Sequence, residues 1–483
     1  MDQNNGGILG KINTPTTSVA SGVWSLDSQF EAQSSSIWPL AFPQTTIANS
    51  CRFDDGSSDY INRTPSGAGN RKTWTFSIWF KRSGIATGAQ HKIFSVAGGG
   101  SNNFECYLNT NDTLAFYHYS SNGGVTDSFL GTNQVFRDVS AWYHLVLSVD
   151  TTQGTASNRV KMYLNGEQVT SFSSSSYFNQ DYDTYINSTA EHRIGGNLNG
   201  SQYFDGYMTE IVLVDGQQLD PTSFGAFNPA TNIWEPIAYA GTYGTNGFRL
   251  DFADSSALGN DVSGNNNDFT VNNLTSVDQS TDTCSNNFAT LNPLEAEQNS
   301  PTFSDGNLTQ TTPNSGGTSG RSTIEIPHTG VWYWEVKIVS TTGTISDNVR
   351  LGISTGSSAV EGQNLRYMSN GQYVIPGSAN SYGASYQAGD IIGVKVDADN
   401  NQVTFYKNGA SQGAISYTMV AGETYKAFVG EYSNTIGCVY SMNFGNSPFS
   451  ISSGNSDPNG YGNFEYSTDS GYALNTKNLA EFG

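Results

Sequence analysis

Two Asn-Gly dipeptides, Asn165-Gly166 and Asn408-Gly409, limit what this chain can fold into more than any other feature. Each sits between an alternating run and a polar return segment: Arg159–Leu164 before Glu167-Gln168-Val169, and Asn401–Lys407 before Ala410-Ser411-Gln412. Asn-Gly supplies the positive φ at both central residues that a two-residue type I′ turn demands, so both stretches read as β-hairpins. A long apolar strand precedes each, Trp142–Val149 in the first case and Asp390–Asp397 in the second. One local design in two halves of a 483-residue chain implies two β-sandwiches of related build.

The rest of the chain favours short strands over helices. Strand candidates are Cys51–Asp54, Trp74–Lys81, Lys92–Val96, Phe104–Leu108, Leu114–Tyr119, Trp142–Val149, Val160–Leu164, His192–Ile194 and Met208–Val214. Turn signals such as Asp55-Gly56, Asn122-Gly123, Asn199-Gly200 and Asp215-Gly216 separate them. Hydrophobic content is only 36%, but aromatics reach 12% and can fill a core where Leu and Ile are scarce. The chain divides into an N-terminal extended docking arm at 1–49, a sandwich at 50–236, a polar connector at 237–300, a second sandwich at 301–449 and a C-terminal tail at 450–483. Within the second sandwich, Ser340–Asn348 and Gly356–Ala388 read as long polar loops. The expected class is all-β: two antiparallel β-sandwich (jelly-roll) domains behind that arm.

A formal net charge of −21 excludes the usual routes to nucleic acid or anionic membrane, because so few Lys and Arg cannot neutralise phosphates. No apolar run approaches a transmembrane span, and the start, Met1-Asp2-Gln3-Asn4-Asn5, has no signal-peptide pattern. The cysteines, Cys51, Cys106, Cys284 and Cys438, form no Cys-x-x-Cys motif. They are expected to be free and mostly buried, with a Cys51–Cys106 disulfide left open.

The order of pieces in the first sandwich resembles the laminin-G-like, or concanavalin-like, jelly roll. The pieces are Phe53–Ile61, Trp74–Lys81, Trp142–Leu147, the Met162–Gly166 hairpin, Ile194-Gly195-Gly196 and Phe204–Ile211. The second sandwich resembles the SPRY domain through Gly330–Ile338, Arg350–Ile353, Gly389–Asp397 with Val403–Gly409, Tyr425–Val429 and Met442–Gly445. The stretch Asn286–Pro293 between them resembles a domain junction in proteins of marine bacteriophages. The first two resemblances imply ligand- or partner-binding sandwiches; the third implies a virion.

Candidate chemistry is sparse. A retaining glycosidase needs two carboxylates about 5 Å apart, and no core strand carries the Glu-x-Asp-x-Glu spacing that would supply them. His91, His118, His144, His192 and His328 form no metal pattern, and no Gly-x-Ser-x-Gly elbow occurs. Asp54, Asp55, Asp59 and Asn62 concentrate hard oxygen ligands in one loop, which suits calcium; the alternative is that such residues make turns. Asp261, Asn265, Asn267 and Asp268 form a second such loop.

The best binding candidates are loop aromatics: Tyr117, Tyr119, Tyr177 and Tyr182 in the first sandwich, and Tyr367, Tyr373, Tyr382 and Tyr386 in the second. A sugar ring stacks its C–H face on such rings while Asn and Asp bind its hydroxyls; the alternative is packing in a core or between protomers. Trp24 and Trp38 in the arm are read as virion-docking anchors or as residues packed on the next domain.

These readings point to a non-enzymatic virion structural protein, a tail fibre or surface appendage adhering to host-cell glycans or receptors. Its partners would be other virion proteins, the host surface and further copies of itself. Fibres of this kind are often trimers, but no heptad fixes a number. A capsid decoration or tail adaptor protein, and a concanavalin-like carbohydrate-active enzyme, remain open beside it.

Overall fold

The computed structural model describes residues 27–28, 31–32, 45–85, 88–99, 102–120, 125–229, 231–296, 301–313, 317–343, 349–355, 364–376, 378–432 and 436–483. Two units emerge, one from residues 1–46 and 222–239, the other from 47–221 and 240–483. In the smaller unit, Asp27, Ser28, Glu31 and Ala32 are helical, and Gly225–Phe227 pairs with Trp234–Pro236. Trp234 is buried there with Phe227 edge-on to its ring at 4.9 Å. The docking anchors Trp24 and Trp38 lie outside the described residues.

The larger unit holds both sandwiches, and both Asn-Gly hairpins form as expected. Asn165 and Gly166 take φ of 47° and 85°, Asn408 and Gly409 take 48° and 79°. The two turns share a further device. The Asn165 side chain accepts the His144 N–H at 2.8 Å, and the Asn408 side chain accepts the Ile391 N–H at 2.9 Å. Each asparagine thereby ties its turn to the start of the preceding strand, Tyr143–Asp150 or Ile391–Asp397.

In the first sandwich, one sheet runs Glu167–Gln168, Val160–Leu164, Tyr143–Asp150, Thr73–Arg82, Gly206–Asp215, Ser50–Phe53, Gln279–Ser280. The facing sheet runs Phe172–Ser176, Val125–Val135, Thr113–Ser120, Asn102–Leu108, His91–Gly99, His192–Ile194, Tyr60–Arg63, Thr270–Asn272. Side chains alternate across each strand, so Trp74, Phe76, Ile78 and Phe80 enter one core with Phe94, Phe104 and Phe116. Here the polar connector proves to be more than a connection. Its short strands Phe248–Leu250, Thr270–Asn272 and Gln279–Ser280 extend the first sandwich's sheets.

The second sandwich has one sheet of Thr302–Ser304, Thr309–Thr311, Cys438–Asn443, Val331–Thr341, Ile391–Asp397, Gln402–Lys407 and Ala410–Ser416. Its partner sheet is Thr318–Ile326, Tyr425–Glu431, Val349–Thr355, Asn364–Met368, Gln372–Ile375, Ser378–Ser381. The last three strands occupy the stretch expected to be a long loop. The C-terminal tail packs on this sandwich rather than trailing away: Tyr472–Ala473 pairs parallel with Val331–Thr341, and Leu474 enters the core. Buried Glu335 fastens the tail by accepting the backbone N–H groups of Glu465 and Tyr466 at 3.0 and 2.8 Å.

The two sandwiches meet directly. Lys81, on the outward face of its strand, is buried at 1% exposure and donates to Asp282 at 2.8 Å, Asn287 at 2.8 Å and the Phe288 carbonyl at 3.3 Å. Asp282 also accepts the Trp142 indole N–H at 3.0 Å. Arg52 donates to the carbonyls of Val277 and Ser447 from one side of this seam, and Tyr207 donates to the Gly306 carbonyl. All four cysteines are free; Cys51, Cys106 and Cys438 are buried.

Candidate functional site

The facing sheet of the first sandwich presents a strip of aromatic and polar side chains away from the core. Register places Tyr117 opposite Glu105 and Tyr119 opposite Asn103, with Tyr107 opposite Lys92 and Phe129 opposite Tyr117. Directly paired residues share a face, so these groups form one surface. Tyr117 and Tyr119, two residues apart on one strand, lie half-buried with ring centroids 6.3 Å apart and planes within 4°. Phe129 stands edge-on to Tyr117 at 6.4 Å. Lys92 bridges to Glu105 at 2.7 Å and sits over the Tyr107 ring at 3.8 Å. Burial pushes the Tyr107 hydroxyl up to about 12 and lowers the Lys92 ammonium from its ordinary value. Parallel aromatic rings flanked by an amide and a carboxylate are chemistry that suits a sugar ring and its hydroxyls.

Of the expected residues, Tyr117 and Tyr119 are therefore brought together. Tyr182 is not part of that strip: its hydroxyl donates to Asp127 at 3.0 Å and its ring stacks on Phe178 at 5.1 Å. Tyr177 packs at the margin of the core. The sequence reading missed Asn103, Glu105, Tyr107, Lys92 and Phe129. The signal was there in the period-two alternation of Asn102–Leu108 beside that of Thr113–Ser120.

In the second sandwich the loop-aromatic expectation is corrected for two residues. Tyr367 and Tyr386 are core residues at 0% and 2% exposure. The Tyr386 hydroxyl lies 3.0 and 2.9 Å from the carbonyls of Val349 and Tyr367, and the Tyr367 hydroxyl donates to the Ala384 carbonyl. Tyr367 lies on the strand Asn364–Met368 and Tyr386 in the segment after Ser378–Ser381, and both rings turn inward. Tyr373 and Tyr382 are half-buried and meet edge-on at 5.6 Å; Tyr382 accepts the Phe405 N–H.

The residues expected to hold calcium are engaged with the backbone and with one another. Asp54 spends one carboxylate oxygen on the N–H groups of Gly56 and Ser57 and the other on the N–H of Asp305. Asp59 accepts the Asp54 N–H at 2.9 Å, and burial pushes its carboxyl up to about 6. Asn62 accepts from Asn272 and donates to Glu191. With Asp55 exposed, Asp54, Asp55, Asp59 and Asn62 build a turn in which Asp59 Oδ1 is buried without a partner. Among the described residues no group of three or more His, Cys, Asp or Glu converges as a metal would require. In the second loop, Asp261 accepts the N–H groups of Arg249, Ser263 and Asn267, again a turn.

Glu210, Asp215 and His118 are committed to structural partners. Glu210 holds Arg249 through two contacts of 2.8 and 3.0 Å, and Asp215 accepts from Asn70, Asn187 and Asn246. His118 sits 3.2 Å from Asp127, but its Nε2 accepts the Tyr185 backbone N–H, which fixes the neutral tautomer and occupies the nitrogen a general base would use. Burial lowers that imidazole to about 3.

The fold and this surface define a protein of paired recognition-type β-sandwiches. Residues 55–219 match the family model of the Concanavalin A-like lectin/glucanases superfamily, and residues 331–447 match that of the SPRY domain. The chain thus contains a laminin-G/concanavalin-like domain and a SPRY domain, as the two sequence resemblances imply. Similar solved structures include the SPRY domain of human HERC1, 18% identical, covering 32% of this chain and 96% of that one at a TM-score of 0.28. A heptameric SAP-like pentraxin from Limulus polyphemus is 13% identical, covering 36% and 79% at 0.27. Domains LG4-5 of the mouse laminin alpha1 chain are 11% identical, covering 83% and 89% at 0.28. No curated protein sequence matches the chain.

Proposed function

We propose that this chain is a non-enzymatic structural protein of a bacteriophage virion, a tail fibre or surface appendage that adheres to host-cell glycans or receptors. The observation that carries the adhesive part is the half-buried, parallel Tyr117–Tyr119 pair with Asn103 and Glu105 across the strand. The lectin-type and SPRY-type domain matches support a binding role, and the junction-like stretch Asn286–Pro293 supports the virion. The structural commitments of Glu210, Asp215 and His118 support a non-enzymatic protein. Assembly in a host cytoplasm, as a homo-oligomer bound to other virion proteins, accords with four free thiols.

The test is adsorption of the purified protein to susceptible and unrelated bacteria. Selective adsorption should fall at least about tenfold in a Tyr117→Ser/Tyr119→Ser variant, the loss of two stacking contacts of about 1 kcal/mol each. EDTA should leave adsorption unchanged; its loss in EDTA would restore the calcium reading. Absence of adsorption by the folded wild-type protein would refute the adhesive role and leave the architectural one.

A further inference from the structure

Lys81 is the last outward side chain of Thr73–Arg82, and at the seam its nitrogen meets two groups it could react with or through. Nζ lies 2.8 Å from the Asn287 side-chain oxygen and 2.8 Å from Asp282 Oδ2. An amine, a carboxamide and a carboxylate thus converge. The place is dry: Lys81, Asp282 and Tyr207 are all buried, and the Tyr207 ring centroid is 5.5 Å from Nζ. Asn287 is half-buried.

Each member is held from elsewhere. Asp282 Oδ1 accepts the Trp142 indole N–H at 3.0 Å, which leaves Oδ2 for Lys81. The Asn287 amide nitrogen donates to the Ser140 carbonyl at 2.6 Å, which turns the amide oxygen toward Lys81. The Asn287 backbone N–H is bound to Thr476 Oγ1 at 3.0 Å, so the chain is pinned there. An amide carbon lies only about 1.2 Å behind its oxygen, so Nζ needs a short movement to reach Asn287 Cγ. Groups fixed in this way react as if at effective molarities on the order of 10⁵ M or more. Lys92 offers a contrast. It meets Gln90 Oε1 at 2.8 Å and Glu105 at 2.7 Å, but Gln90 is its near neighbour in the chain and the Glu105 side chain is 14% exposed, so water reaches the carboxylate.

We infer that Lys81 and Asn287 form a spontaneous isopeptide bond that ties the first sandwich to the domain junction, with Asp282 as the catalytic base. Asp282 Oδ2 takes a proton from Nζ along their hydrogen bond, which frees the nitrogen lone pair. Nζ attacks Asn287 Cγ, and the carbonyl electron pair moves onto Oδ1. Asp282 hands its proton to Nδ2, the Cγ–Nδ2 bond breaks and ammonia leaves. Asp282 then removes the second proton from Nζ and passes it to the ammonia. One ammonium and one carboxamide have become one secondary amide and one ammonium ion, with Asp282 a carboxylate again and no oxidant or cofactor consumed. The half-buried position of Asn287 gives the ammonia a way out. Until the bond forms, the ion pair and hydrogen bonds alone hold the seam. Afterwards, residues 206 positions apart are joined covalently in a chain whose four cysteines are free. The cross-link is independent of what the tyrosine strip binds.

The test is electrospray mass spectrometry of the full chain, fresh and after incubation at neutral pH, followed by tryptic mapping. The wild type should become lighter by one ammonia, and the digest should contain a branched peptide that carries both Lys81 and Asn287. Asn287→Ala and Asp282→Asn should each keep the full mass of their sequence. Asn287→Ala leaves the Lys81–Asp282 ion pair in place, so it serves as the control even where Asp282→Asn fails to fold. A folded wild type that keeps its full mass, with Lys81 recovered in a linear peptide, would overturn the inference. So would an ammonia loss that maps to Lys92 and Gln90, or to a succinimide at an Asn-Gly pair such as Asn165-Gly166. A branched peptide formed equally fast in folded Asp282→Asn would overturn the role given to Asp282.

Discussion

Lys81→Met is the change that should most clearly expose how the two sandwiches are joined. The native ammonium is 1% exposed and has three oxygen partners, of which Asp282 is fully buried. Methionine fills a similar volume but leaves Asp282 charged with no cation. Removing one member of a buried ion pair costs about 3–5 kcal/mol. Asp282 keeps the Trp142 indole N–H at 3.0 Å and the Phe288 N–H at 3.4 Å, which places the loss near the lower end, about 3 kcal/mol. With a urea slope of about 3 kcal/mol/M, the unfolding midpoint should drop by about 1 M. Asp282→Asn should cost a similar amount, and the double variant less than the sum by about 2 kcal/mol, as coupled neighbours do. Circular dichroism in urea measures the midpoints. Scanning calorimetry of Lys81→Met should show the two sandwiches separating into distinct transitions where the wild type melts as one. A Lys81→Met midpoint within about 0.2 M of wild type would refute the seam as an energetic unit.

The hairpin asparagines should behave alike. Asn165→Ala and Asn408→Ala each lose one anchoring hydrogen bond and force alanine to φ near +50°, for about 2 kcal/mol, whereas Asn→Gly keeps the φ and costs about half as much by urea midpoint. Acid should destabilise the fold through its buried histidines. His91 and His192 are lowered to about 4, His118 and His144 to about 3, each chiefly by desolvation. A folded pKa below the unfolded value of about 6.5 means that the unfolded chain alone takes up the proton, so stability present above pH 6.5 is lost as pH falls toward 4. Each imidazole contributes about 1.4 kcal/mol per pH unit in that window, while Asp59, raised to about 6, offsets one of them; a pH-independent urea midpoint between pH 6.5 and 4.5 would contradict this. Glu335→Gln replaces an acceptor facing two backbone N–H groups and one amide with a group that also donates, at about 2–3 kcal/mol; limited proteolysis should then cut the 450–483 tail first.

What could be read from the sequence was whatever local physics decides. The Asn-Gly turns were legible because a type I′ hairpin leaves few residue choices, and the long strands because aromatic and β-branched residues alternate. Of the strands of 237–300, the one at Phe248–Leu250 was legible in the run Phe248–Phe252, but Thr270–Asn272 and Gln279–Ser280 are too short to show a period. Lys81 reads as a solvated charge on the outward face of its strand, and only the second sandwich's placement buries it. The same holds for the candidate site. Tyr117 and Tyr119 were visible as aromatics, but their neighbours Asn103, Glu105 and Phe129 reach them through strand register, which the sequence does not print. Tyr367 and Tyr386 were misplaced because a Gly/Ser/Asn-rich stretch that looks like loop puts Tyr367 on an inner strand and folds the segment bearing Tyr386 back onto the core.

The stretch Asn286–Pro293 explains why the domains form one compact unit rather than two beads on a string. Asn287 donates to the Ser140 carbonyl of the first sandwich, accepts from Lys81 and takes a bond from its own N–H to Thr476 in the tail. Phe288 then inserts its ring among Tyr333, Tyr406, Phe464 and Ala473 on the outer face of the SPRY sheet. Ala289 and Leu291 enter the SPRY core, with the Ala289 N–H bound to the Leu474 carbonyl. A flexible linker needs none of these partners and tolerates any polar sequence. Here successive residues are committed first to one sandwich and then to the other, so the short motif encodes a fixed join between domains.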